Sequence, residues 1–301
     1  MTVLPIPLRR RMADIDALAP GLEQVTRQEA DRGTTVKWLW RLHDGAQIET
    51  VLMEYGTRAT VCISSQAGCA MACGFCATGQ AGYQRNLSTG EIVEQVVRAA
   101  VDRGGRRPGN VVFMGMGEPL ANYRAVWSAV ERLHSDLGIS ARHITLSTVG
   151  IVPGIRRLAD AALPVNLAVS LHAANNRLRD ELVPINRRYP LDDLVEACRD
   201  YLEAKGRRLS FEWALIRDVN DSPEDAAELA EIALPLRAHV NLIPLNPTPG
   251  WGADPSPAPV VRNFRDRLIS RGVNATVRRN RGTAIDAACG QLAATTGTMV
   301  P

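Results

Sequence analysis

From residue 59 onward, short runs rich in β-branched residues alternate with longer stretches of helical spacing, and this rhythm restricts the fold more than any other feature of the chain. The runs are ATVCIS (59–64), NVVFMG (110–115), HITLST (143–148), VNLAVSL (165–171), LSFEWALI (209–216), HVNLIPL (239–245) and NATVRR (274–279). Helical patterns separate them at 88–104, 122–137, 153–162, 190–205, 223–235 and 258–271. In the first, Ser88 and Glu91 have the spacing of a capping box, and Ile92, Val93, Val96 and Val97 form an apolar stripe. Strands separated by helices pair in parallel, because each crossover must carry the chain back over the sheet. The runs are apolar without strict alternation, as strands covered on both faces are. About six βα units are too few for a closed eight-fold barrel, and no dinucleotide-binding fingerprint follows the first strand. The expected fold is therefore α/β, an open partial βα barrel of about six parallel units. Its active site should lie in the loops beyond the C-terminal ends of the strands.

Ahead of the barrel, TTVKWLWRLHDGAQIETVLMEY reads as two strands joined at Asp44-Gly45 by a type I′ turn. This divides the chain into residues 1–33, expected to hold one helix, a β-hairpin extension at 34–58, the barrel at 59–279 and a C-terminal segment at 280–301. With 301 residues, 46% of them hydrophobic, the chain can bury a sizeable core. It has no apolar run of about 18 residues. Its beginning, MTVLPIPLRRRMADIDALAP, lacks the apolar core of a secretory signal. A cytoplasmic protein with no membrane attachment is expected, in a compartment that keeps thiols reduced. The net charge of +3 is too small to demand a nucleic-acid partner. Lys37 and Lys205 are the only lysines, so the positive charge is almost all arginine, and RRR (9–11), GGRRPG (104–109) and RRNRG (278–282) are candidate RNA contacts.

The stretch VCISSQAGCAMACGFCATG (61–79) concentrates four of the six cysteines. Cys69, Cys73 and Cys76 run C-x3-C-x2-C directly after the first barrel strand. A structural zinc site wants a fourth ligand, and His134 and His143 stand apart from this loop. A ferredoxin-type cluster likewise needs a fourth cysteine. Three thiolates around an iron–sulfur cluster would leave one iron open, and an open site is a catalytic one. Phe75 could shield such a cluster. Cys198 is in phase with Leu191, Leu194, Val195 and Leu202 and reads as core. Cys289, between alanines and Gly290, is open between a small buried residue and a reacting thiol.

The spacing of Cys69, Cys73 and Cys76 on the first βα loop resembles the radical S-adenosylmethionine superfamily. The segments CISSQAGCAMACGFCATG, FMGMGEPLANY, TLSTVGIVPGI, AVSLHAANNRLRDELVPINRRYP, NLIPLNPTPG and RRNRGTAIDAACGQLA are similar, almost continuously from residue 34 to 294, to the radical RNA adenine methyltransferases of the RlmN/Cfr family. LIPLNPTPG resembles the carbon-2 branch more than the carbon-8 branch. The resemblance implies a [4Fe-4S] cluster on Cys69, Cys73 and Cys76, and two S-adenosylmethionine molecules per turnover. One would methylate Cys289; the other, on the cluster, would yield the radical that takes a hydrogen from that methyl group. The methylene would then add to carbon 2 of an adenosine. Cys62 would attack the Cys289 sulfur to release the product, leaving a transient disulfide, and Glu49 would accept the ring proton. Read alone, Glu49 would be a solvated strand residue.

The same resemblance implies S-adenosylmethionine contacts at Gly117, Glu118, Ser147, Ser170, Leu171, His172 and Asn246. Hydroxyl, imidazole and amide groups at successive strand ends are the set a ribose and an adenine require. The implied substrates are 23S ribosomal RNA at the peptidyl-transferase centre and transfer RNA, the electron donor is of flavodoxin type, and the enzyme acts as a monomer. Family members carry a helical accessory domain before the hairpin, of which residues 1–33 would be a remnant. Carbon-8 methylation and a non-catalytic RNA-binding remnant are the rival expectations.

Overall fold

The computed structural model describes residues 21–248, 250–278 and 280–293. Ten strands form one sheet. Its parallel part begins at β4 (Arg58–Cys62) and continues through β7 (Asn110–Phe113), β8 (Ile144–Thr148), β9 (Asn166–Ser170), β10 (Leu209–Leu215), β11 (His239–Pro244) and β12 (Asn274–Val277). Each of these pairs in parallel with the next, so all seven β-branched runs became neighbours in sequence order. The sheet does not close among the described residues, and an open partial barrel is what the βα rhythm implied.

Helices α2 (Thr89–Asp102), α3 (Tyr123–Ser135), α4 (Val152–Asp160), α6 (Leu191–Lys205), α7 (Pro223–Ala233) and α8 (Ala258–Ser270) make the crossovers, with the shorter α5 (Asn176–Leu182) ahead of α6. They form where apolar residues recur at helical spacing. The α2 capping box is complete: Ser88 Oγ accepts from the Glu91 amide, and the Glu91 carboxylate accepts from the Ser88 amide. Ile92 and Val96 are buried beneath it, whereas Val97 is exposed. Cys198 is fully buried on α6, in the core as read.

The N-terminal part departs from the sequence reading. Where one helix was expected within 1–33, Glu23–Ala30 forms strand β1, and residues 1–20, with the RRR cluster at 9–11, lie outside the described residues. The residues of β1 favour a helix, but pairing with β2 (Thr35–Arg41) overrides that preference. Its charges suit an exposed edge strand, with Arg27 paired to Asp102 and Arg41 to Glu23. The expected hairpin is present as β2 and β3 (Gln47–Tyr55), but β3 also pairs with β4, so the extension is continuous with the barrel sheet. The turn is not type I′. Only Gly45 has positive φ, at 85°, and the Gly45 amide donates to the Leu42 carbonyl, which is a type I turn followed by a glycine bulge.

A second, two-stranded sheet of β5 (Gln66–Gly68) and β6 (Tyr83–Asn86) brackets the cysteine loop, and the one-turn helix α1 (Ala77–Gln80) lies inside it. Gly68 has φ +74°, and a Cβ there would fall 2.0 Å from the Gly82 carbonyl oxygen. A Gly68→Ala variant should keep its far-UV circular dichroism while the iron bound per chain on anaerobic reconstitution falls several-fold, since the clash lies at the base of the loop rather than in the core.

Candidate active site

A cavity of about 1050 Å3, counted to its open mouth, lies at the C-terminal ends of the parallel strands. One wall is the cysteine loop, with Cys69, Cys73, Cys76, Met71 and Phe75. Gly117, Glu118, Ser147, Ser170, His172 and Asn246 face the same space, and Cys289 stands at its side.

The three loop thiols are partly or wholly buried. Burial pushes Cys69 up to about 12 and Cys73 higher still. Such thiols keep their protons at neutral pH unless a bound cation displaces them. Among the described residues, no three His, Cys, Asp or Glu side chains form a set that could hold one metal ion. Three cysteine thiols facing one cavity are a soft donor set that fits an iron–sulfur cluster. Phe75 meets His172 edge-on at 4.7 Å and Trp251 at 6.0 Å, closing one side of the loop. Gln80 ties the loop to the segment after β11, its amide donating to the Gly74 carbonyl and to Thr248 Oγ1.

The opposite wall is polar but crowded. Gly117 has φ +94°, and a Cβ there would lie 2.5 Å from Gln66 Cβ, so only glycine lets the β7 loop pass. Glu118 is buried, and its carboxylate accepts from the Leu120 and Val149 amides at 2.9 and 2.8 Å. Burial nevertheless pushes it up to about 7. A ligand ammonium would favour its ionised form. His172 has φ 59°, a strained value for a non-glycine residue at a cavity wall. Its Nδ1 accepts from the Ala214 amide at 2.9 Å, which leaves the ring proton on Nε2. Burial, then the nearby Arg179, holds it down at about 3, so it is a neutral donor. Ser147 and Ser170 line the cavity at the ends of β8 and β9. Leu171 does not line it: the side chain is fully buried, the amide donates to Glu212 O, and the carbonyl accepts from Arg179. Asn246 does line it, but its Nδ2 donates to the Cys289 carbonyl at 3.0 Å.

Cys289 also lines a smaller adjoining cavity, whose walls include Cys62, Met114 and Arg278. The structure thus places Cys289 between the cysteine loop and Cys62. Cys62 is not the open-cleft thiol that disulfide exchange favours. As the last residue of β4 it is 8% exposed, and burial pushes its thiol up to about 12, with Cys289 adding to the rise and Arg278 opposing it. Cys289 is accessible, yet protein on both sides raises its thiol too, again against Arg278. Arg278, within the candidate RNA-contact cluster 278–282, is a half-buried cation facing both thiols. Nothing in the run RRNRG singles it out, so only the fold distinguishes it.

Glu49 is not a solvated strand residue. It is 2% exposed, paired with Lys37 at 2.9 Å, and lines neither cavity. Nothing near Glu49 in the sequence signals that the C-terminal segment would cover it. That segment is docked by its backbone: the Gly290 carbonyl accepts from the Ala77 amide at 2.7 Å, and the Leu292 carbonyl from Thr78 Oγ1.

An open βα sheet with a C-x3-C-x2-C loop beyond its first parallel strand defines a radical S-adenosylmethionine protein, and the profile described as the Radical SAM superfamily matches residues 63–230. The Streptococcus suis protein SuiB shares the fold alone, with a TM-score of 0.55 at 16% identity over 73% of this chain and 48% of its own. Nearer relatives are proteins of Salinispora tropica, 55% identical over 99% of this chain and 82% of their own length, and of Mycolicibacterium vanbaalenii, 56% identical over 98% and 83%. Both are described as probable dual-specificity RNA methyltransferases RlmN. A crystal structure of a radical SAM methyltransferase from Sphaerobacter thermophilus superposes with a TM-score of 0.93 at 51% identity, covering 98% of this chain and 87% of that one. The chain belongs to the RlmN family within that superfamily.

The raised Glu118 makes the ligand-free protein pH-sensitive. Its contribution to stability is full below about 4.5 and is lost as pH rises through about 7, a difference of about 3 kcal/mol. Glu118→Gln should therefore lose less stability than the wild type between about pH 4.5 and pH 8, read as unfolding midpoints across that range.

Proposed function

We propose that the chain methylates carbon 2 of an adenosine in 23S ribosomal RNA at the peptidyl-transferase centre, and an adenosine in transfer RNA, by passing the methyl group through Cys289. The observation that carries this reading is the position of Cys289, which lines both the cavity of Cys69, Cys73 and Cys76 and the cavity of Cys62. A thiol so placed can receive a group on one side and be resolved on the other. An adenine ring carbon is no nucleophile, so direct methyl-cation transfer would fail and a relay is needed.

Cys69, Cys73 and Cys76 would hold a [4Fe-4S] cluster, and Gly117, Glu118, Ser147, Ser170, His172 and Asn246 would hold S-adenosylmethionine. When bound, these groups supply the methyl group and one-electron chemistry, with two S-adenosylmethionine molecules used per turnover and a flavodoxin-type donor as reductant. The remaining steps belong to this chain. Glu118 offers a carboxylate to an ammonium, and neutral His172 offers Nε2–H to an acceptor. Phe75 and Trp251 keep water from the cysteine loop. Cys289 carries the one-carbon unit to the adenine, and Glu49 takes the ring proton. The Cys62 thiolate then attacks the Cys289 sulfur: a sulfur–sulfur bond forms, the sulfur–carbon bond breaks, and its electron pair stays with the product carbon, which takes up a proton to become the methyl group. Arg278 favours the thiolate at either cysteine. The resulting disulfide needs an external thiol for reset, which suits a cytoplasmic protein. Among the described residues, no helix is long and apolar enough to cross a membrane. We also take the protein to act as a monomer, with 34–58 and 280–301 serving the barrel at 59–279 as base-bearing and methyl-bearing extensions.

Anaerobically reconstituted protein, incubated with 23S ribosomal RNA, should yield 2-methyladenosine on nucleoside mass spectrometry. Formation of 8-methyladenosine would overturn the assigned position. Cys62→Ala should abolish turnover and accumulate a covalent protein–RNA adduct, while Cys289→Ser should give neither product nor adduct. Absence of any adduct from Cys62→Ala would defeat the relay.

A further inference from the structure

Lys37 and Glu49 stand diagonally on one face of the β2–β3 ladder, since Lys37 lies opposite Val51 and Leu39 opposite Glu49. Their side chains are only 9% and 3% exposed. Each partner also reaches out of the sheet to the same segment. Lys37 Nζ donates to the Asp286 carbonyl at 3.3 Å, and Glu49 Oε2 accepts from the Ala293 amide at 3.0 Å. Cys289 lies between these two anchor points. A buried ion pair is a poor source of net stability, because desolvation offsets the attraction, and two apolar side chains would serve the sheet as well. They could not hold a carbonyl at one end of a loop and an amide at the other.

We propose that Lys37 and Glu49 form an ionic clasp that seats the Cys289 segment at the cavity, and that lifting this segment is what brings Glu49 within reach of the substrate base. Lys37 is thereby a positioning residue. The purpose of the clasp rests on the methyl-relay reading, but its existence does not. When Glu49 takes the ring proton, the carbon–hydrogen bond breaks, an oxygen–hydrogen bond forms, and the electron pair stays with the ring. The carboxyl group becomes neutral and the ionic half of the clasp is lost, so the lifted segment cannot close on its ion pair again until that proton leaves.

Iodoacetamide labelling of Cys289, resolved by peptide mass spectrometry, and hydrogen exchange over 286–293 test the clasp in the reconstituted protein without RNA. Lys37→Met should raise both rates about ten-fold, and Lys37→Arg, which keeps the charge, should stay near wild type. Because Lys37→Met leaves a buried carboxylate unpaired, the double variant Lys37→Met/Glu49→Leu is measured beside it; it buries no charge and should show the same rise. Wild-type labelling and exchange rates in the double variant would overturn the clasp. Adding 23S ribosomal RNA to the wild-type protein should speed exchange at Ala293, and unchanged or slower exchange there would overturn the gating. A missing methyladenosine product would count against the proposed function while leaving the labelling result intact.

Discussion

A thiol can pass a group on only at contact distance, so any chemistry at Cys289 depends on how firmly 286–293 is held against the sheet. Beyond a short 3-10 turn at Thr283–Ile285, that segment has no regular structure of its own. Its backbone is anchored instead by Lys37, Glu49, Ala77, Thr78 and Asn246, which come from four separate parts of the fold. Each neutral hydrogen bond contributes on the order of 1 kcal/mol net, and breaking a buried ion pair by removing one partner costs about 3–5 kcal/mol. A loop held this way is seated but not welded. That suits a thiol that lines one cavity with the cysteine loop and another with the end of β4.

The parallel sheet frames both cavities. Strand ends leave carbonyls and amides unpaired, and the protein satisfies them with side chains that also shape the cavity. Arg179 is the deepest example: fully buried, it donates to the carbonyls of Val149, Ser170 and Leu171 and to Asn186 Oδ1. It knits the ends of β8 and β9 together behind the cysteine loop. Desolvation lowers it to about 10, still a cation at neutral pH. The antiparallel strands at the other edge extend the same sheet, so the hairpin bearing Lys37 and Glu49 is fixed relative to the strand that ends at Cys62.

Local periodicity carried the barrel. All seven β-branched runs and six long helical patterns are present, because burial on both faces of a parallel strand and on one face of a helix is written directly into spacing. Spacing also marked Cys69, Cys73 and Cys76. What it missed was set by distant partners. Strand β1 has helix-favouring residues and is a strand only because β2 offers an edge. Glu49 has the neighbours of a surface residue and is buried only because residues 286–293 fold back over it. Arg278 sits in a run of arginines, and nothing local tells that its guanidinium turns inward. Leu171 occupies a strand end among cavity residues but faces the core.

The aromatic side of the cysteine loop has a consequence for observation. The Trp251 indole comes so near the backbone that a Cβ on Gly74 would sit 3.4 Å from its nitrogen, and Gly74 lies between two of the three loop cysteines. A strongly absorbing metal–sulfide chromophore in that loop would quench the emission of this indole far more than that of Trp38 or Trp213, which are buried elsewhere in the core. The protein thus carries its own lamp for reporting whether the loop is filled.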